Sequence, residues 1–186
     1  MIEQVSSRVV YQNAWMTVRE DGIVRADGSA GIYGVIEKPS SALVVPMEND
    51  GFWLVEQYRY TVGGRFWEFP QGTLPDRAEG DPVDVARHEL AQETGLHAAR
   101  VTQLGRFFHA YGMSSQACNA FLATELSQDP QAAAPDPEEL DLVAKWFPRA
   151  EVEAMLRDGR IADLATIAAY GLLLLDERAT APGSSR

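Results

Sequence analysis

Two glutamates four residues apart, Glu89 and Glu93, stand in the segment HELAQETG. Residues of that type at that spacing could hold a hard cation. On a helix, positions i and i+4 share one face, so both carboxylates point the same way. Like charges so placed repel by about 0.2–0.5 kcal/mol on an exposed helix. Beside a buried face the cost is higher, unless a cation sits between them. A solvated surface pair is the plain alternative, and spacing alone leaves both open. The stretch EFPQG upstream adds weight to the cation. A strand broken at Pro70 and Gly72 leaves backbone carbonyls able to face an ion. Mg²⁺ takes oxygen ligands, keeps several waters, and binds through one or two carboxylates plus substrate phosphates. Strand, glycine break, loop and carboxylate-bearing helix together are what diphosphate chemistry requires.

The helix that must carry the pair has readable ends. Asp81 is a good N-cap, Pro82 suits the first helical position, and Asp84 places charge where the dipole favours it. Gly95 follows the last periodic residue as a left-handed C-terminal cap. Val83, Ala86 and Leu90 form the expected buried stripe, with Glu89 and Glu93 on its exposed edge and His88 and Gln92 further round.

Around this helix the chain alternates strands and helices without an internal repeat. VVYQNAWMTVREDGIVRADGSAGIYGVIEKP reads as short strands joined by Gly/Asp turns, with ADGS a hairpin signal. SALVVPM and GFWLVEQYRY are apolar strands separated by ENDG, and RFWEFPQG is a short strand stopped by Pro70 and Gly72. After the helix come strands RVTQLGRFFHA and QACNAFLATEL around the loop YGMSS, then a Pro/Ala-rich loop, SQDPQAAAPDPEE. Strand LVAKWF and two helices, RAEVEAMLRDG and ADLATIAAYGLLLLDER, complete a mixed α/β core.

Composition bounds the partners. The chain has 186 residues, 46% of them hydrophobic, enough for one well-packed domain with a small appendage. A net charge of −11 repels nucleic-acid backbones and anionic membranes. A small anionic substrate meets the same repulsion unless a cation accompanies it. The single cysteine, Cys118, cannot form an intrachain disulfide and fits a reducing compartment. No signal peptide is visible in MIEQVSSRVV, and the apolar run Ala165 to Leu175 is too short to span a bilayer. The expectation is a cytoplasmic protein with no nucleic-acid or membrane partner.

FWEFPQGTL followed by ARHELAQETGL resembles the Nudix box of the Nudix hydrolases, G-x5-E-x7-R-E-U-x-E-E-x-G-U, where U is bulky and apolar. Gly72, Glu89, Leu90, Glu93, Gly95 and Leu96 match it. LVEQYRY before the box, and FFHAYGMSSQ, WFP and RDGRIADLATIAAY after it, resemble the ADP-ribose and nucleotide-sugar pyrophosphatase branch. The resemblance implies an α/β/α Nudix sandwich with a mixed sheet (39–178) and a small N-terminal β segment (1–38), and the composition of TAPGSSR predicts a disordered tail (179–186). It implies hydrolysis of a nucleoside diphosphate linked to another moiety, most simply ADP-ribose or a nucleotide sugar, with Mg²⁺ or alternatively Mn²⁺. The implied metal ligands are the Gln71 carbonyl, Glu89 and Glu93, and Arg59 in EQYRY is the implied substrate contact, with a surface salt bridge as the plain reading.

The sequence departs from the pattern at three places. His88 replaces the arginine, Gln92 replaces the first paired glutamate, and Gly72 to His88 spans sixteen positions against fourteen, displacing the early glutamate, nearest Glu79. Gln92 brings no charge, and His88 cannot reproduce a bidentate arginine fork. Arg87 points a hundred degrees away round the helix. Gln116 stands where related enzymes supply a catalytic glutamate, but a neutral amide cannot take a proton from water, so it is read as a substrate contact. The base is then sought in Glu138 or Glu139, with Glu139 the candidate, or in a box glutamate. These departures also admit a second reading, a catalytically weak nucleotide-binding sensor.

Remaining residues read as structural. The four tryptophans Trp15, Trp53, Trp67 and Trp146, Cys118 and His109 are expected to pack. The N-terminal strands carry Val9, Val10, Trp15, Val18, Ile23, Ile32, Tyr33 and Val35 in a ribbon too small to be stable alone. The segment from about Val9 to Lys38 is therefore expected to pack on a partner in a homodimer, as it does in the resembling pyrophosphatases.

Overall fold

The computed structural model describes residues 1–73, 80–128 and 141–181. Strands β1 (Glu3–Gln12), β2 (Thr17–Val24) and β3 (Ala30–Glu37) form an antiparallel three-stranded sheet in that order. Its β2–β3 turn is the expected ADGS signal: the Asp27 carboxylate accepts from Ser29 N and Oγ, and Gly28 takes φ +83°. Strands β4 (Ser41–Glu48) and β5 (Gly51–Arg59) form the ENDG hairpin. Asn49 and Asp50 both hold positive φ, 50° and 52°, the backbone whose twist matches the flanking strands. A 3₁₀ turn (Tyr60–Val62) leads to β6 (Gly64–Glu68) and the two-residue β7 (Gln71–Gly72). Then follow α1 (Pro82–Thr94), β8 (Leu96–Phe108), β9 (Ala117–Gln128), β10 (Val143–Pro148), α2 (Arg149–Asp158) and α3 (Leu164–Thr180).

The seven strands β4–β10 make a mixed sheet, β10-β5-β4-β9-β8, with β6 on β5 and β7 on β4. Among the described residues of this sheet, only the β4–β9 pairing is parallel. Strand β4 is buried on both faces, so it reads as a continuous apolar run rather than an alternating one. Ala42 and Val44 face α1, in a cluster with Val85, Ala86, Leu90, Leu96 and Phe121. Leu43 and Val45 face α2 and α3, among Phe52, Leu54, Phe69, Met155, Ile161 and Leu173. Helices on both faces of one mixed sheet are the expected α/β/α sandwich. Leu90, fully buried between α1 and the sheet, would cost about 2–5 kcal/mol if truncated to Ala.

Helix α1 ends as its sequence reads. Asp81 accepts from Val83 N, Pro82 opens the helix, and Gly95 caps it at φ 68°. Its buried face differs. Val83 is only half-buried, and the buried residues are Val85, Ala86, Glu89, Leu90 and Glu93. The stripe is rotated toward the glutamates because β7 lies against that side of the helix. At the carboxyl end, α3 runs through Thr180, into the stretch expected to be tail, and 182–186 lie outside the described residues.

The N-terminal sheet meets the body through the β8–β9 loop. Tyr33 Oη donates to Gly112 O at 2.8 Å, Ile36 N donates to Met113 O at 2.8 Å, and Ile36 bridges Ser114 in parallel. Strand β1 is exposed along its whole length. Trp15, expected to pack, is 61% exposed, because its side chain finds no cover within one chain.

Candidate functional site

Glu89 and Glu93 are not solvated. Each is 4% exposed, which corrects their expected place on an open edge of the helix. Two acids one turn apart in a buried position cannot be explained as surface charge. The strand β7 supplies the other wall. Gln71 N donates to Glu93 Oε2 at 3.1 Å. A Cβ at Gly72 would lie 2.5 Å from Glu89 Oε1 and 2.6 Å from Oε2, so no side chain fits there. Glycine is required here for close approach, because β7 runs directly against the Glu89 carboxylate. Gln71, Glu89 and Glu93 are thus brought together, with β7 itself pinned to β4 through Leu43 and Ala42.

Among the described residues, no three His, Cys, Asp or Glu side chains cluster as a metal site. The donors available are fewer: two buried carboxylates and strand backbone. That set suits a hard cation that completes its shell with water and phosphate oxygens, as Mg²⁺ does. It does not suit a soft or tightly caged metal.

Beside this wall lies a third buried acid, one that sequence reasoning missed. Glu68 is 2% exposed on β6, accepts from Gln57 Nε2 at 2.9 Å, and pairs with Arg59 through both carboxylate oxygens. Burial pushes the Glu68 carboxyl above the ordinary Glu value, against the opposing pull of the Arg59 charge. Arg59 therefore makes an ion pair, but with a buried partner, and its side chain stays 41% exposed. A polar residue inside the apolar run FWEF was the available signal, since buried acids almost always have partners.

His109 directly follows β8, with Nε2 2.9 Å from Ser41 Oγ at the start of β4. Burial lowers its pKa below the usual value, with nearby Asp163 pulling the other way and Lys38 adding to the depression. His109 N donates to Gln116 O, and Gln116 N donates to Ser114 Oγ, so Gln116 sits at the foot of the β8–β9 loop. Its backbone closes that loop. Glu138, Glu139 and Glu79 lie outside the described residues. Arg87 donates to Ala98 O at 2.6 Å, tying α1 to β8, while His88 is exposed and Gln92 half-buried. Cys118 is fully buried on β9, its thiol pushed up to about 11 by desolvation, so it is core.

Comparison with known proteins places nearly the whole chain in a family. The profile of the nucleoside diphosphate sugar hydrolase N-terminal domain matches residues 2–36, and that of the NUDIX domain matches residues 37–169. An ADP-ribose pyrophosphatase of Mycobacterium tuberculosis is 32% identical over 167 residues, 89% of this chain and 80% of that protein. A methanol dehydrogenase activator of Bacillus methanolicus is 25% identical over 175 residues, 93% of this chain and 92% of that one. The crystal structure of an ADP compounds hydrolase superposes with a TM-score of 0.83 at 19% identity, covering 96% of this chain and 95% of the other. At that identity the likeness speaks for the fold.

Proposed function

Because the chain belongs to the Nudix family, as a pyrophosphohydrolase of the ADP-ribose pyrophosphatase type, we propose that it cleaves the diphosphate of ADP-ribose or a nucleotide sugar with Mg²⁺. The observation that carries this reading is the buried Glu89–Glu93 pair set against β7. A divalent cation held there would supply charge to neutralise the diphosphate and to lower the pKa of the attacking water. Glu89, Glu93 and the Gln71 carbonyl would hold it. Gln71 N fixes the Glu93 carboxylate, and the absence of a Cβ at Gly72 leaves Glu89 its place. Arg59, oriented by Glu68, offers its exposed edge to a substrate phosphate or ribose, and Gln116 to another part of the substrate. Glu139 is the proposed base, with a box glutamate as the alternative.

We further propose that the active form is a homodimer. Val5, Val9, Val10, Tyr11, Trp15, Ile32 and Tyr33 are exposed on the N-terminal sheet. An apolar surface of that kind on a small open sheet calls for cover. A second copy would provide it and bring its own ribbon to the substrate pocket. Light scattering at micromolar concentration should give twice the chain mass, and a single species near 20.5 kDa would remove the dimer. The one cysteine, buried and unpaired in any disulfide, supports a cytoplasmic setting.

Activity is tested with ADP-ribose, nucleotide sugars and dinucleoside polyphosphates, each with Mg²⁺ or Mn²⁺, scoring released phosphate products. Metal-dependent turnover of ADP-ribose or a nucleotide sugar is expected. Nucleotide binding without hydrolysis of any of them would favour instead the sensor reading, which His88, Gln92 and Gln116 support by departing from the family pattern.

A further inference from the structure

The amino end of α3 reaches the strand of the candidate site from behind. Asp163 Oδ2 accepts from Thr166 N and from Thr166 Oγ1, both at 2.8 Å, as an N-cap does. The same oxygen also accepts from Gln71 Nε2 at 2.8 Å, a bond that capping does not need. Thr166 is fully buried, and its hydroxyl oxygen accepts from Phe69 N at 3.0 Å. On the opposite side, Pro70 O accepts from Val44 N at 3.0 Å, and Gln71 N donates to Glu93 Oε2. The segment Phe69–Gln71 is therefore held at Phe69 N, Pro70 O, Gln71 N and the Gln71 side chain. Pro70, with its fixed φ and no N–H, stiffens the middle.

We propose that Asp163 and Thr166 are positioning residues for the cation site, acting through Phe69 N and the Gln71 side chain to set the Gln71 carbonyl and the Glu93 carboxylate. The proposal rests on the reading that Gln71, Glu89 and Glu93 hold a divalent cation. A helix cap alone would need only an acceptor for the amides of α3. Here the cap's carboxylate and the buried hydroxyl are both committed to a strand more than ninety residues earlier in the chain. Partners that orient metal ligands in this way commonly change metal affinity without touching the metal.

The test is Mn²⁺ binding to the full chain without substrate, followed by electron paramagnetic resonance, with thermal melting to confirm folding. Thr166→Val removes the acceptor of Phe69 N, and Gln71→Met removes the tie to Asp163 while leaving every backbone group in place. Each should raise the Mn²⁺ Kd about tenfold, whereas Thr166→Ser, which restores the hydroxyl, should stay within about twofold of wild type. Gln71 is half-buried, so Gln71→Met carries the test if Thr166→Val does not fold. An unchanged Kd in a folded Gln71→Met overturns the proposal. Glu93→Gln serves as the control. Lost binding there with unchanged Gln71→Met refutes the positioning role alone, while wild-type binding in Glu93→Gln refutes the cation site and the positioning role together.

Discussion

Glu93→Gln is the sharpest perturbation of the catalytic reading, because it changes one charge with almost no change of shape. Residues one turn apart have Cβ atoms about 5.5 Å from each other, and charges at about that separation repel by about 3 kcal/mol at an effective dielectric of ~20. The variant removes that repulsion in the metal-free protein. It also turns the charge-assisted bond from Gln71 N, 3.1 Å, into a neutral one, a loss of about 1 kcal/mol. The repulsion figure is an upper bound, since solvent and reorganisation reduce it, so the two effects oppose each other and the variant loses at most about 1 kcal/mol. Melting in EDTA should then lie no more than about 3 °C below wild type for a chain of this size. Catalysis should respond differently. Losing one of the two carboxylates proposed to hold the cation would remove several kcal/mol of charge stabilisation, and about 3–4 kcal/mol corresponds to a 10²–10³-fold drop in turnover. The assay pairs melting in EDTA and in Mg²⁺ with turnover of the substrate found in the panel. Wild-type turnover at saturating metal, or a Mg²⁺-induced melting shift as large as wild type's, would refute the assigned site.

Gln92→Glu restores a charge to a half-buried position of α1 and should lower the Mg²⁺ concentration giving half-maximal activity; an unchanged metal titration would show that residue 92 does not face the cation. Gly72→Ala forces a methyl to within 2.5 Å of the Glu89 carboxylate, and should cost about 1–3 kcal/mol in urea unfolding together with most of the activity; wild-type behaviour in both would refute the close approach. His109, lowered below its ordinary value of 6.5 mainly by burial, binds its proton less readily folded than unfolded. Its contribution is therefore a loss of stability as pH falls below about 6.5, and His109→Gln should flatten the difference in unfolding free energy between about pH 7.5 and pH 5.5. An undiminished difference in the variant would refute that assignment.

The sequence by itself marked most of the elements, their ends and the residues of the candidate site. Asp81, Pro82 and Gly95 bounded α1 because caps act locally, through bonds a few residues long. ENDG and ADGS marked their hairpins for the same reason, since turn geometry is a property of two or three residues. The spacing of Glu89 and Glu93, with Gly72 upstream, identified the candidate cation site. Tertiary structure alone decided how that site is built. Periodicity placed the glutamates on the rim of a stripe led by Val83, and only the docking of β7 made them buried. Nothing in the one-dimensional pattern joined Glu68 to Gln57 and Arg59, because strand register across β5 and β6 sets those contacts. Asp163 was legible as a helix start at most. That its carboxylate also holds Gln71 follows from α3 packing against the face of the sheet opposite α1, a long-range contact that no local rule encodes.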